Sequence, residues 1–185
     1  MTTRMTLSAI LAVLAVAACT SLGEIDPAAP PSAGDAYYVI GVAPEFTKVA
    51  IPDGHVENGR FVASDAADLY NANTRFGFPV DGYILGKATG EPFAAITSVQ
   101  LHSSATQLLS IPHMPCQEGL KTVVFQAQAG KVLYIANLRY LEISGTLVTA
   151  ATNDIDGARA FLKAHYPRLA SQLEQGTYQR LFCKD

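Results

Sequence analysis

Two consecutive β-strands are predicted by residues 121–138, which read Lys121-Thr122-Val123-Val124-Phe125-Gln126-Ala127-Gln128-Ala129-Gly130-Lys131-Val132-Leu133-Tyr134-Ile135-Ala136-Asn137-Leu138. In the first half, Val123, Phe125 and Ala127 occupy alternate positions, so one face of a half-exposed strand would point inward. Ala129-Gly130 supplies a turn before the second apolar run. We therefore predict that the two runs pair as a β-hairpin.

Similar short apolar or alternating runs lie on either side of this stretch. They are separated by turn signals that include Asp-Gly, Ser-Gly and Ala-Thr-Gly-Glu-Pro, and no strand-helix-strand alternation is visible. The pattern predicts a mainly β fold, an antiparallel β-sandwich of immunoglobulin- or transthyretin-like type, over residues 37–152. The further predicted strands are at 37–42, 48–52, 59–63, 80–87, 93–101, 106–111 and 142–150.

The hydrophobic period changes in residues 153–185, where apolar residues recur at three-to-four-residue steps. This spacing predicts a C-terminal helical segment packed on the sandwich, capped by Asn153 or Asp154. Pro167 predicts a kink or a division into two short helices near Tyr166. Gly176 is predicted to end the second helix.

The amino terminus has the pattern of an export signal. Arg4 is followed by residues 5–18, which are uncharged and mostly apolar, a run too short for the ~20 residues of a membrane-spanning helix. Val16-Ala17-Ala18-Cys19 then resembles the lipobox of bacterial lipoproteins. The resemblance implies that residues 1–18 are a signal peptide, that cleavage precedes Cys19, and that its thiol receives a diacylglyceryl group.

The residue after Cys19 bears on where the protein is held. In lipoproteins of enteric type an aspartate there retains the protein in the inner membrane, and this chain has Thr20. We therefore expect an outer-membrane location facing the periplasm, with exposure at the cell surface as an alternative. The other interpretation of the segment is an ordinary secretory signal cleaved after Ala17, which would leave Cys19 as an unpaired thiol.

Residues 19–36 are predicted to be the lipidated cysteine and a flexible tether, because residues 20–36 are rich in proline, alanine, glycine and serine. At ~3 Å per residue such a tether would hold the domain up to roughly 50 Å from the bilayer.

Removing the signal leaves 12 basic against 16 acidic residues, a formal charge of −4. This balance argues against a nucleic-acid-binding surface. The expected partners are the membrane, through the lipid anchor, and another envelope protein.

Two cysteines remain once Cys19 is acylated, and an exported protein lives in an oxidising compartment. We predict a disulfide between Cys116 and Cys183, which would fasten the C-terminal tail to the domain. An alternative is a copper site built on His113-Met114-Pro115-Cys116, whose donor atoms suit that metal.

Catalytic motifs are missing from the sequence, which contains no Gly-x-Ser-x-Gly, no phosphate-binding glycine loop, no His-Glu-x-x-His and no Cys-x-x-Cys. We predict no catalytic residue, no metal and no cofactor. The candidate binding residues are Asn71, Asn73, Arg75 and Phe76, where aromatic and amide side chains in a loop could bind sugar or peptide. The alternative is that Phe76 and Phe78 enter the core while the polar residues form a turn.

The hypothesis for function is therefore a non-enzymatic binding or assembly module on a lipid anchor. The alternative is an envelope enzyme or metal-binding protein, for which the collecting points would be His55, Glu57, His102 and His113. A weaker resemblance, in Ala129-Gly130-Lys131 with Tyr134 and in Phe161-Leu162 with Tyr166-Pro167 and Leu169, is to small β-sandwich lipoproteins of unknown function from Gram-negative bacteria. It implies a fold and a location rather than a reaction.

Overall fold

The computed structural model describes residues 25–27, 33–64, 74–88, 91–102 and 110–184. Twelve strands and two helices lie in this part of the chain. In chain order they are β1 (Ala36–Ala43), β2 (Thr47–Glu57), β3 (Arg60–Ala63), β4 (Thr74–Gly77), β5 (Tyr83–Ala88), β6 (Phe93–Ala95), β7 (Ser98–Leu101), β8 (Thr122–Gln126), β9 (Val132–Ile143), β10 (Thr146–Thr152), α1 (Ile155–His165), α2 (Pro167–Ala170), β11 (Leu173–Gln175) and β12 (Tyr178–Cys183).

Two sheets make up the β-sandwich. The five-stranded sheet has the order β10-β9-β1-β5, with β11 also paired to β9. The seven-stranded sheet has the order β3-β12-β8-β6-β2-β4, with β7 paired to β2. The predicted fold class, a mainly β sandwich with a helical segment near the C-terminus, is confirmed. Most strand pairs are antiparallel, while β1 with β9, β11 with β9 and β12 with β3 run parallel.

The predicted hairpin between residues 121–128 and 131–138 is wrong. β8 pairs with β6 and β12, whereas β9 pairs with β1, β10 and β11, so the two strands lie in different sheets. The connection at Ala129-Gly130 crosses from one sheet to the other, and the Gly130 amide donates to the carbonyl of Asp35 at 2.7 Å. Alternation identifies a strand and its inward face, but it carries no information about the partner strand.

The core between the sheets contains the inward residues expected for β8. Val123 and Phe125 are buried there, and the Phe125 ring meets Tyr38 of β1 edge to face at 4.9 Å. On the face predicted to be exposed, Gln126 is exposed, but Val124 is also buried. It packs on the outer side of the seven-stranded sheet with Phe61, Ala95 and Cys183.

The outer face of the five-stranded sheet is covered by the helices. Ala158, Phe161 and Leu162 of α1 and Leu169 and Ala170 of α2 pack on apolar side chains of the sheet. These sheet residues are Tyr37, Val39, Leu85, Val132 and Tyr134.

The C-terminal helical segment begins and divides where predicted. The side chain of Asp154 caps α1 by accepting from the Gly157 amide at 2.9 Å, and the chain breaks at Tyr166 before α2 starts at Pro167. Its extent differs, because α2 ends at Ala170 and Leu173 lies in β11. β11 pairs there with the edge of β9 at Val132–Tyr134, where backbone groups of both strands are satisfied.

Part of the predicted tether is packed rather than extended. Ile25 is 9 % exposed and belongs to the same apolar cluster as the helices. One aliphatic side chain among prolines and alanines carries too little periodic signal to predict burial, yet it can fill a gap between a helix and a sheet.

The β9–β10 hairpin has a two-residue turn, Ser144-Gly145, with φ values of 52° and 78°. Such a turn makes Ile143 and Thr146 a hydrogen-bonded pair, so Thr149 falls in a non-hydrogen-bonded pair with its carbonyl directed away from β9. The guanidinium of Arg180 donates to that carbonyl at 2.7 Å. The free edge of β10 is thus occupied at Thr149 by a side chain from the other sheet.

None of the helices in the described part of the chain has the length and apolar character to cross a bilayer.

Candidate functional site

A shallow cleft of about 90 Å³ lies between the C-terminal end of α1 and the chain entering β5. Its lining is mostly apolar and aromatic: Gly77, Phe78, Val80, Tyr83, Ile84, Leu85, Phe161, His165 and Tyr166. We refer to it as the aromatic cleft. Concave apolar surfaces with a few polar groups are the usual form of small-ligand sites in proteins.

A tight turn positions one wall of the aromatic cleft. The backbones of Val80 and Tyr83 exchange hydrogen bonds of 2.8 and 2.9 Å, and Asp81-Gly82 between them have φ values of 49° and 81°. This geometry turns Tyr83 towards α1. Phe78 and Val80 are left on the rim with 47 % and 55 % of their surfaces exposed.

The opposite wall is the last turn of α1 and the break after it. The Phe161 ring stacks on Tyr83 with centroids 5.3 Å apart, and the rings of His165 and Tyr166 lie beside it at 5.0 and 6.0 Å. His165 Nε2 lies 2.6 Å from Asp81 Oδ2, so an exposed polar contact joins the helix to the turn across the mouth of the cleft.

Polar groups line up behind Tyr83. Its hydroxyl donates to Asp154 Oδ2 at 3.2 Å, the Asp154 amide donates to the Tyr134 hydroxyl at 2.8 Å, and that hydroxyl donates to Asn137 Oδ1 at 3.1 Å. Burial raises the pKa of both tyrosines above the ordinary value. The hydrogen bonds of the two hydroxyls with Asp154 fasten the start of α1 to the sheet.

A second exposed apolar surface lies at the other edge of the same sheet. Leu141, Ile143 and Val148 on the outer side of the β9–β10 hairpin are 44 %, 57 % and 40 % exposed, and Leu141 and Val148 are cross-strand partners. We refer to these residues as the hairpin patch. β9 and β1 separate its strand, β10, from β5 and the aromatic cleft.

The candidate binding residues fall outside any described loop. Asn71 and Asn73 lie outside the described residues, as does the lipidation residue Cys19. Arg75 and Phe76 belong to β4, where they pair with Ile51 and Ala50 of β2. The asparagines that precede Arg75 and Phe76 favoured a loop in the sequence. The strand forms because these residues pair with β2, which is distant in the sequence. Their binding role stays a prediction.

Cys116 and Cys183 lie at disulfide-bonding distance, with Cα atoms 5.0 Å apart and a sequence separation of 67. The pair joins the turn after Pro115 to the end of β12. It packs with Phe61 and Val124 on the outer side of the seven-stranded sheet. The alternative copper site at His113-Met114-Pro115-Cys116 would need the same Cys116 sulfur.

The four collecting points of the alternative function fall in three places, with His55 and Glu57 together on β2 and His102 and His113 elsewhere. Glu57 accepts a 2.6 Å hydrogen bond from Lys184, which lowers the pKa of its carboxyl, and the His102 ring packs against Phe78. His113 contacts Glu142 at 3.3 Å and Glu118 at 3.7 Å. His55 shares β2 with Glu57. Within the described ranges, no group of three or more His, Cys, Asp or Glu residues is arranged to hold a metal ion.

Sequence reasoning missed the aromatic cleft and the hairpin patch. The cleft joins residues 77–85 to residues 161–166, and only tertiary packing brings them together. The usable signals were local: Asp81-Gly82 as a tight turn, and an aromatic pair one helical turn apart at Phe161 and His165.

No protein family model matches the chain, and no curated protein sequence or solved structure matches it.

Proposed function

We propose that the protein is a lipid-anchored envelope lipoprotein, held at the outer membrane on its periplasmic side, whose β-sandwich is a non-enzymatic binding or assembly module. The observation that carries the proposal is the approach of Cys116 to Cys183 to bonding distance. Structural disulfides persist in oxidising compartments outside the cytoplasm, which agrees with the export signal that precedes Cys19.

Two exposed apolar surfaces support the binding role. The aromatic cleft and the hairpin patch lie at opposite edges of one sheet, and each exposes large apolar side chains that a folded domain gains nothing by leaving in water. The hairpin patch is the better candidate binding site for an envelope-protein partner, because it lies beyond the part of the sheet that α1 and α2 cover.

Mass spectrometry of the mature protein tests the anchor. The expected product begins at Cys19 and carries a diacylglyceryl group on its sulfur, and Cys19→Ser abolishes this modification and membrane attachment. A mature terminus at another residue, or an unmodified thiol at Cys19, would contradict the proposal.

Photo-crosslinking in intact cells tests the assembly role. A photoreactive residue replaces Val148 in the hairpin patch and, as the matched control, Tyr178 on β12, since the two side chains are 40 % and 37 % exposed. The expected result is one reproducible envelope-protein adduct from position 148 and none from 178. Repeated failure to find an adduct at either position would count against an assembly module.

A further inference from the structure

Ile25 determines how far the domain can stand from its anchor. Because this side chain is packed in the apolar cluster beneath the helices, the distance from Cys19 to the folded domain is limited by the residues up to 25 rather than by those up to 36. Ile25 lies six residues after Cys19 in the sequence. Six fully extended residues span about 20 Å at most, well short of the roughly 50 Å expected for the whole tether.

This short reach brings one side of the domain to the bilayer. The polar headgroup layer on each side of the hydrocarbon is only about 5–8 Å thick, and a diacylglyceryl group places Cys19 within it. The cluster that holds Ile25 also contains Leu85 and Phe161, which line the aromatic cleft. The helix-covered side of the domain, at whose edge the cleft lies, is therefore the side nearest the lipid.

The composition of this region suits an anionic lipid surface. α1 and α2 carry three basic residues, Arg159, Lys163 and Arg168, against one acid, Asp156, although the chain as a whole is acidic. Lys163 and Arg168 are exposed, and in the sequence they flank the cleft-lining pair His165 and Tyr166. Basic side chains beside exposed apolar ones are the usual features of a membrane-contacting surface.

We infer that the aromatic cleft edge of the domain rests on the phospholipid bilayer, with Phe78 and Val80 at the headgroup level and Lys163 and Arg168 facing anionic headgroups. Ile25 fixes this orientation by shortening the tether. The hairpin patch lies at the opposite edge of the five-stranded sheet, separated from the cleft by β9 and β1, and stays open to a protein partner. The inference rests on the proposed lipid anchor at Cys19.

Single tryptophans can test the orientation, because the natural chain contains none. Phe78→Trp places the emitter on the cleft rim, and Val148→Trp is the matched control in the hairpin patch, with 47 % and 40 % of the natural side chains exposed. The acylated full-length variants are reconstituted in vesicles of zwitterionic and anionic phospholipid with brominated acyl chains, which quench nearby tryptophan. We expect the Phe78→Trp variant to lose most of its emission and the Val148→Trp variant to retain it.

A second pair of variants tests the part played by Ile25. Combined with Phe78→Trp, Ile25→Ser should free the tether and restore much of the emission, whereas Ile25→Val should leave the quenching unchanged. Circular dichroism on each variant establishes that the domain is folded.

The outcomes separate the two proposals when the mass of the same samples is measured. A chain without acyl groups at Cys19 overturns both the anchor and the orientation. An acylated chain in which Phe78→Trp is not quenched, or in which both tryptophans are quenched equally, overturns the orientation alone. Quenching that survives Ile25→Ser shows that the tether is not what orients the domain.

Discussion

The five-stranded sheet is covered on its outer face by α1 and α2. The corresponding face of the seven-stranded sheet is covered by the turn that contains Cys116, which is linked to Cys183 at the end of β12. The first cover depends on a broad apolar contact that includes Phe161 and Leu162. The second has few large side chains, chiefly Phe61 and Val124, and adds a covalent bond. A sandwich of this size can therefore protect two outer faces by different physical means, one sensitive to side-chain truncation and the other to reduction.

Removing the disulfide is expected to have the largest effect. Closing a 67-residue separation restricts the unfolded chain by about 4 kcal/mol in the chain-entropy model. The double variant Cys116→Ser/Cys183→Ser should lose stability of this order in urea unfolding. Hydrogen exchange should speed up first at β12 and β3, while α1 stays protected. An equal increase in hydrogen exchange in α1 and in β12 would contradict the view that the two covers are held independently.

Truncating the helical cover should come next. Leu162 is fully buried against the five-stranded sheet, so Leu162→Ala is expected to cost about 3 kcal/mol through lost burial and the cavity left behind. Because two sheets lie between Leu162 and the disulfide, the costs of the two changes should add. Clear non-additivity in the combined variant would show that the covers are coupled through the core.

Asp154 offers a smaller change at the start of the helical cover. Asp154→Ala removes the helix cap on Gly157 and the acceptor for the Tyr83 hydroxyl, at an expected cost of about 1 kcal/mol. Thermal unfolding measures the loss. Asp154→Asn is the control, since an asparagine side chain also caps helices and should recover most of the stability.

The last expected effect appears only at alkaline pH and concerns Tyr37, which lies under the helical cover. Burial and a hydrogen bond to Asp35 raise the pKa of Tyr37 to about 12, against about 10 in an unfolded chain. The folded state holds the proton more tightly, so its contribution is complete below pH about 10 and is lost as pH rises towards about 12. Urea midpoints should fall less steeply above pH about 10 in Tyr37→Phe than in the natural protein. If the urea midpoints of the two proteins fell in parallel with rising pH, the loss of stability would come from groups other than Tyr37.

The sequence predicted those features that depend on neighbouring residues. The strand at Val123 and Phe125, the cap at Asp154 and the break before Pro167 follow from local alternation, hydrogen bonding and the missing proline amide. The pairing of Cys116 with Cys183 could also be predicted, because setting Cys19 aside as the lipidated residue leaves only one intramolecular pair.

What failed was the choice of partners across the fold. Nothing local distinguishes a turn at Gly130 that closes a hairpin from one that leads into the opposite sheet. Ile25 and Leu173 were misjudged for the same reason, since a gap under the helices and an open edge on β9 exist only in the assembled domain. The aromatic cleft depends entirely on such packing, which is why its residues could not be found from spacing.

The guanidinium of Arg180 on the Thr149 carbonyl has a consequence for how the hairpin meets other molecules. An incoming peptide that tried to extend the sheet beyond β10 would have to displace a charged donor from the acceptor it needs, and charge on an outermost strand is a common safeguard against uncontrolled polymerisation. Under the proposed assembly role, a partner would instead contact the side chains of Leu141, Ile143 and Val148, where selectivity depends on shape rather than on main-chain hydrogen bonding that any extended segment could supply.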